Sequence, residues 1–324
     1  MRIVDHLYYK IDELSCPIVV GLDPVIQQIP KFIQDNAVMK FGNTVKGAAE
    51  ALYEFNAGLL ESLHTQIPAV KLQMACYELY GSCGMDVHQR TVELAKELDL
   101  LVIDDSKRND VGNTAQLYAK GHLGEAPLIA GTDEPVRADF MTINPYLGSD
   151  AITPFVEACK QYDKGLFVLV RTSNSSSGEY QEAVVDGKAL YQKIAEDLDG
   201  FGMELLGETG YSSIGAVVGA TWPEEAAQLR DLMPKAYFLV PGYGAQGATA
   251  EKVVQAFDKN GHGALINSSR NVIFAYQDQK YKDYEESSRA YAQIAVDAVT
   301  DMKRLILKAL SDAGKLPNNW RING

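Results

Sequence analysis

Eight short apolar runs, each stopped by a turn signal and separated from the next by a segment of helical character, constrain this chain more than any other feature. They are Pro17–Asp23 (PIVVGLD), Pro68–Gln73 (PAVKLQ), the run opened by Leu100 (LLVI), Ala138–Asn144 (ADFMTIN), Leu166–Arg171 (LFVLVR), Ile214–Gly219 (IGAVVG), Ala236–Val240 (AYFLV) and Ala264–Asn267 (ALIN). Runs this short and this continuously apolar suit strands covered on both faces, as in a parallel sheet. Helical periodicity fills the intervals, most plainly from Thr44 to His64, where Ala48, Leu52, Phe55, Leu59 and Leu63 form one stripe. Strict alternation of strand and helix implies a parallel sheet. Eight such units in a chain of 324 residues suit a closed α/β barrel, the TIM (β/α)8 architecture with extra helices, over residues 1–324 as a single domain. An open doubly wound sheet, which about six units would suit, is the alternative.

Residues 24–43 read as an excursion of mixed signals, Met74–Tyr80 as aromatic and sulfur bulk for the core or an interface, and residues 124–137 as a surface excursion. The Ser-rich tract from Ser175 to Gly178 reads as a flexible loop that could serve as a lid.

A formal net charge of −13 opposes any role in neutralising a nucleic-acid backbone or binding anionic lipid. A small phosphorylated ligand remains compatible, because a few amides and one Arg can hold it locally. Cys16, Cys76, Cys83 and Cys159 form no CxxC pair and have no His at metal-ligand spacing, so they read as reduced thiols. The amino-terminal MRIVDHLYYKIDEL lacks the apolar core of a signal peptide, and no apolar run reaches membrane-spanning length; the expected compartment is the cytoplasm. His6, His64, His88, His122 and His262 are scattered and read as surface or structural.

The chemistry gathers where the strands stop. In a TIM barrel the active site lies at the C-terminal strand ends. Those ends hold Asp23, Lys71, Asp105, Lys107, Ser173, Gln246 and Arg270. Asp105 and Lys107 stand two apart and so point to one face of a strand, where each favours the other's charged form. Taken alone the pair could be a solvated charge cluster capping a strand. Lys71 inside a buried strand requires a carboxylate partner, unless it guards a sheet edge. The run Pro241-Gly242-Tyr243-Gly244-Ala245-Gln246-Gly247 could be only a tight turn. Beside Arg270 at the end of the next strand it reads as a phosphate site. Neither GxxxxGK[ST] nor a strand-helix GxGxxG is present.

In order along the chain, VKLQ, DDSKRNDVGNT, VRTSN, VPGYGAQG and NSSR closely resemble orotidine 5′-phosphate decarboxylase of the longer bacterial subgroup. The Ser-rich tract departs from the subgroup's pattern, which carries a Pro near 175. The resemblance implies decarboxylation of orotidine 5′-monophosphate to uridine 5′-monophosphate without metal or organic cofactor. It implies that Lys107 stabilises and protonates the C6 carbanion, and that Asp105 faces the departing carboxylate. Lys71 would order the charges and Asp23 would bind a ribose hydroxyl. Ser173 would meet the pyrimidine, and Gln246 and Arg270 the phosphate. It further implies a homodimer in which Asp110 and Thr114 reach into the partner's site, completing a Lys–Asp–Lys–Asp array. The DxKxxD element is shared with magnesium-dependent sugar-phosphate aldolases and decarboxylases of the same suprafamily. Such an enzyme would want a Glu near the end of the second strand, and Glu78, the only nearby candidate, sits too far on. A non-catalytic nucleotide-binding barrel would show gaps in the array.

Overall fold

The structure is a computed structural model that describes residues 1–244, 247–281 and 290–322. Its eight barrel strands are β1 (Ile18–Leu22), β2 (Ala69–Gln73), β3 (Leu101–Arg108), β4 (Phe140–Ile143), β5 (Gly165–Arg171), β6 (Ser212–Val218), β7 (Ala236–Val240) and β8 (Ala264–Ser268). Each is hydrogen-bonded to its neighbours in parallel, and β8 closes onto β1, so the sheet has no open edge. Closure settles the question the strand count posed: the sheet is a barrel and not an open doubly wound sheet.

The outer layer begins with α1 (Ile3–Leu14), α2 (Lys31–Phe41) and α3 (Val45–Leu63), followed by α4 (Met74–Glu78), α5 (Gly81–Glu97) and α6 (Gly112–Leu123). It continues through α7 (Ser149–Tyr162), α8 (Gly178–Gln181), α9 (Leu190–Gly202) and α10 (Pro223–Leu232) to α11 (Ala250–Val253), α12 (Arg270–Ile273) and α13 (Ala290–Asp312). Helix α3 starts where Thr44 Oγ1 accepts the Gly47 amide, and it buries Leu52, Phe55, Leu59 and Leu63, the stripe expected from the spacing. A stretch of mixed signals and an expected loop are both partly helical. Residues 24–43 contain α2, and the Ser-rich stretch runs into α8 instead of staying irregular. The 74–80 bulk is divided: Met74 and Tyr77 are buried on α4, whereas Leu79 is exposed. No helix among the described residues is long and apolar enough to cross a membrane.

Alternation along β3 sorts its two adjacent acids to opposite faces. Asp104, fully buried, turns outward to the helical layer, where its Oδ2 lies 2.5 Å from His122 Nδ1 of α6 and its Oδ1 lies 3.9 Å from His88 of α5. Asp105 turns inward. His88 and His122 thus have the structural role expected of them, holding helices to the back of β3, and burial keeps His88 below its ordinary pKa.

Candidate active site

The site is built around an irregularity at the end of β3. Pairing with β4 is regular at Ile103↔Phe140 and Asp104↔Met141, then shifts so that Arg108 faces Ile143. Within that shift Lys107 has φ +49°, in the left-handed region that side-chain-bearing residues seldom occupy. Such a conformation costs roughly 1–3 kcal/mol and persists only where its surroundings enforce it. Thr142 does so: its Oγ1 accepts the Lys107 amide at 2.9 Å and donates to Asp105 Oδ1 at 2.9 Å. The bend returns the Lys107 ammonium to Asp105 Oδ1, with which it forms a short ion pair.

The other Asp105 oxygen accepts Lys71 Nζ at 2.7 Å and Gln73 Nε2 at 3.0 Å, both from β2. Lys71 in turn stands 3.4 Å from Asp23 Oδ1 at the end of β1. Four charges therefore alternate in space as Asp23, Lys71, Asp105, Lys107. Burial by itself would drive the Asp105 carboxyl up, but Lys71 and Lys107 overcome it and hold the group well below the usual carboxylate range. Burial would likewise lower Lys71, and the carboxylates of Asp105 and Asp23 instead raise it above the ordinary lysine value. Lys71 lines the cleft with only 4% of its side chain exposed, while the Lys107 side chain is 42% exposed, so the second ammonium is the more open to a ligand.

These groups form the floor of a cleft of about 510 Å³ at the C-terminal end of the barrel. Thr172, Ser173, Asn174 and Gln181 make one wall, and Pro241, Gly242, Tyr243, Ser269 and Arg270 the other. Gly242 has φ +105°, which opens the turn after β7 as only glycine readily allows. At the floor, a Cβ on Gly21 would lie 1.9 Å from Ser269 Oγ, so glycine is required where β1 and the end of β8 approach. Of the residues singled out from the sequence, Asp23, Lys71, Asp105, Lys107, Ser173 and Arg270 share this cleft. Gln246 lies outside the described residues. Asp110 and Thr114 do not line the cleft of their own chain; Asp110 Oδ1 accepts the Val111 amide, and Thr114 is exposed on the first turn of α6.

Residues 36–284 match the family described as orotidine 5′-phosphate decarboxylase / HUMPS. The chain belongs to this family. An orotidine 5′-phosphate decarboxylase of Rhodopirellula baltica is 41% identical over 281 residues, covering 87% of this chain and 90% of that protein. That of Caldicellulosiruptor bescii is 38% identical over 284 residues, covering 88% and 93%. The solved structure of Leishmania donovani OMP decarboxylase superposes with a TM-score of 0.68 at 27% identity, covering 94% of this chain and 99% of that one.

The magnesium-dependent alternative implied by the DxKxxD element would need an acidic ligand set, and the donors here bear on it. Among the described residues no group of three His, Cys, Asp or Glu could hold a metal ion. Glu78 is ion-paired with Arg108 and does not line the cleft, while Asp105 is already compensated by two ammonium groups. Sequence reasoning missed Gln73, Thr142 and Asn267, all polar groups on largely apolar strands. Their signal is the polar residue at an inward position, as in the Thr of FMTI. Asn267 lines the cleft with its Oδ1 buried and unpartnered among the described residues, an acceptor available to a ligand.

Proposed function

We propose that this chain decarboxylates orotidine 5′-monophosphate to uridine 5′-monophosphate in pyrimidine biosynthesis, without metal or cofactor, in one barrel domain. The observation that carries this reading is the line Asp23, Lys71, Asp105, Lys107 across the cleft floor, with the glycine turn and Arg270 at the opposite wall. A cleft of that volume suits one nucleotide. Arg270, together with Gln246, takes the phosphate; Asp23 and Lys71 meet the ribose; Ser173 holds the pyrimidine; C6 rests over Lys107.

The C6–carboxylate bond breaks heterolytically and its electron pair stays on C6 while carbon dioxide departs. The Lys107 ammonium stabilises that charge, delivers a proton to C6, and recovers one from water. Asp105 faces the substrate carboxylate and is kept ionised by its two lysines, so repulsion is relieved as the carboxylate leaves. Charges already in place need no reorganisation during the reaction. Phosphate contacts distant from the broken bond supply binding energy that supports the chemical step.

The direct test is the loss of orotidylate absorbance with and without a chelator. Turnover equal in both is expected; strict dependence on magnesium would move the chain to the sugar-phosphate branch of its family.

The active form we propose is a homodimer in which Asp110 and Thr114 complete the partner's site. Neither residue lines the cleft of its own chain, Asp110 lying just before α6 and Thr114 on its first turn, which supports this. Asp110→Ala and Lys107→Ala chains, each inactive alone, should regain activity when mixed and allowed to exchange, because one of the two sites in a mixed dimer is intact. Mixtures as inactive as the parents would mean that each chain supplies its own site in full. The four cysteines are free thiols, and burial raises Cys16 and Cys76 to about 11, which suits a reducing cytoplasm.

A further inference from the structure

Arg171, the last residue of β5, is fully buried but does not line the cleft. Its Nη1 donates to Ser177 Oγ at 2.9 Å, and its Nη2 forms a short ion pair with Glu182 and lies 3.6 Å from Glu225 at the start of α10. Its guanidinium carbon stands 4.3 Å from the centroid of the Trp222 ring. Removing a guanidinium from water is costly, and only well-placed partners offset it. Two of these partners, Ser177 and Glu182, belong to the 172–182 loop that forms the pyrimidine-side wall, and the other two, Trp222 and Glu225, stand at the start of α10.

The same loop is tied along its length. Gln181 Oε1 accepts the Thr172 amide at 3.0 Å and its Nε2 donates to Thr172 Oγ1 at 2.8 Å. Trp222 Nε1 donates to the Thr172 carbonyl at 2.9 Å, and Thr221 Oγ1 to that of Ser173 at 3.3 Å. A Cβ on Gly219 would come within 2.8 Å of the Ser173 backbone, so the chain just past β6 packs directly against that residue. A Ser-rich stretch that composition marks as flexible is thus drawn down onto the barrel from below.

We infer that Arg171 is a positioning residue for the decarboxylation: its fork, held by Ser177 and Glu182 and stacked on Trp222, fixes the 172–182 loop so that Ser173 meets the pyrimidine in a preformed geometry. A lysine keeps the charge but has no planar fork to span both loop contacts. This rests on the reading that orotidylate binds with its base toward Ser173. Displacing a substrate-positioning group by about 1 Å can cost roughly 10²-fold in rate.

The experiment is a double-mutant cycle on orotidylate turnover with Arg171→Lys, Ser173→Ala and the double variant, with inhibition by ribose 5-phosphate measured for each. Arg171→Lys should lower kcat/KM by roughly 10- to 100-fold. It should change ribose 5-phosphate inhibition by less than about twofold, and lose most of its effect in the Ser173→Ala background. Additive losses, or equal loss of ribose 5-phosphate binding, would show a general structural role and overturn the inference. Should Arg171→Lys fail to fold, Glu182→Gln, at a half-exposed position, carries the same cycle with the same two outcomes. Absence of turnover in the unmodified chain would instead defeat the proposed function itself.

Discussion

Replacing Lys107 with alanine should lower kcat by at least roughly 10³-fold, because in the proposed reaction one group supplies both the charge next to C6 and the proton delivered there. Uridylate binding should change by no more than about threefold. The wall proposed to take the phosphate follows β7 and β8, across the cleft from β3, and Asp105 keeps Lys71 as a partner once Lys107 is gone. The Lys107 side chain is 42% exposed, so its removal leaves no buried void. Steady-state turnover with calorimetric titration of uridylate checks both halves. Residual activity within tenfold of the parent would remove Lys107 from the reaction, and lost uridylate affinity would remove the division between the two walls.

Asp105→Asn is expected to cost stability as well as activity. Lys71 is buried, and its near partner would become neutral while Asp23 at 3.4 Å compensates only in part. Breaking a buried pair in this way costs about 3 kcal/mol, the low end for such sites. The pH dependence follows from the folded state. Asp105 has its carboxyl held below the ordinary value, so its contribution is complete above the unfolded pKa of about 4 and is lost as pH falls from there toward the folded value. Lys71 is raised, so its contribution is complete below about 10.4 and is lost only as pH rises through the folded value. Urea unfolding of parent and variant should therefore differ by a constant amount between about pH 5 and 9, with the gap shrinking below about pH 4. A gap that closes near neutrality would mean that other groups carry the difference.

The barrel could be read from the chain because each strand is a short apolar run with a polar stop, a pattern set locally. Most of the site was legible for the same reason: strand ends converge in a closed barrel, so Asp23, Lys71, Asp105, Lys107, Ser173 and Arg270 had to meet. Elements whose reasons lie in distant contacts were not legible. The helical spacing from Val87 to Leu98 marks most of α5, but its first turns begin at Gly81 and carry Gly84, an unpromising helix former, because a Cβ there would strike the Tyr77 carbonyl at 1.9 Å. Helix α2 buries only Ile33 and Ala37, too little to mark a face. The order of the Ser-rich loop depends on Arg171 and Trp222, 51 residues apart in sequence, and local composition carries no trace of that contact. Thr142 looks like an ordinary strand residue until the bend at Lys107 gives it two partners.

The back-to-back acids of β3 bear on how the barrel assembles. Asp104 is matched to His122 in the helical layer and Asp105 to Lys71 and Lys107 in the cleft. Sliding β3 by one residue against β2 would exchange the two, because each side chain then changes face. Asp105 would enter a layer spaced for Asp104, and the apolar Val102 would turn to the inside in place of Ile103. The strand therefore admits one alignment, and the histidine behind the sheet, remote from any substrate, guards the frame in which the chemistry is spelled.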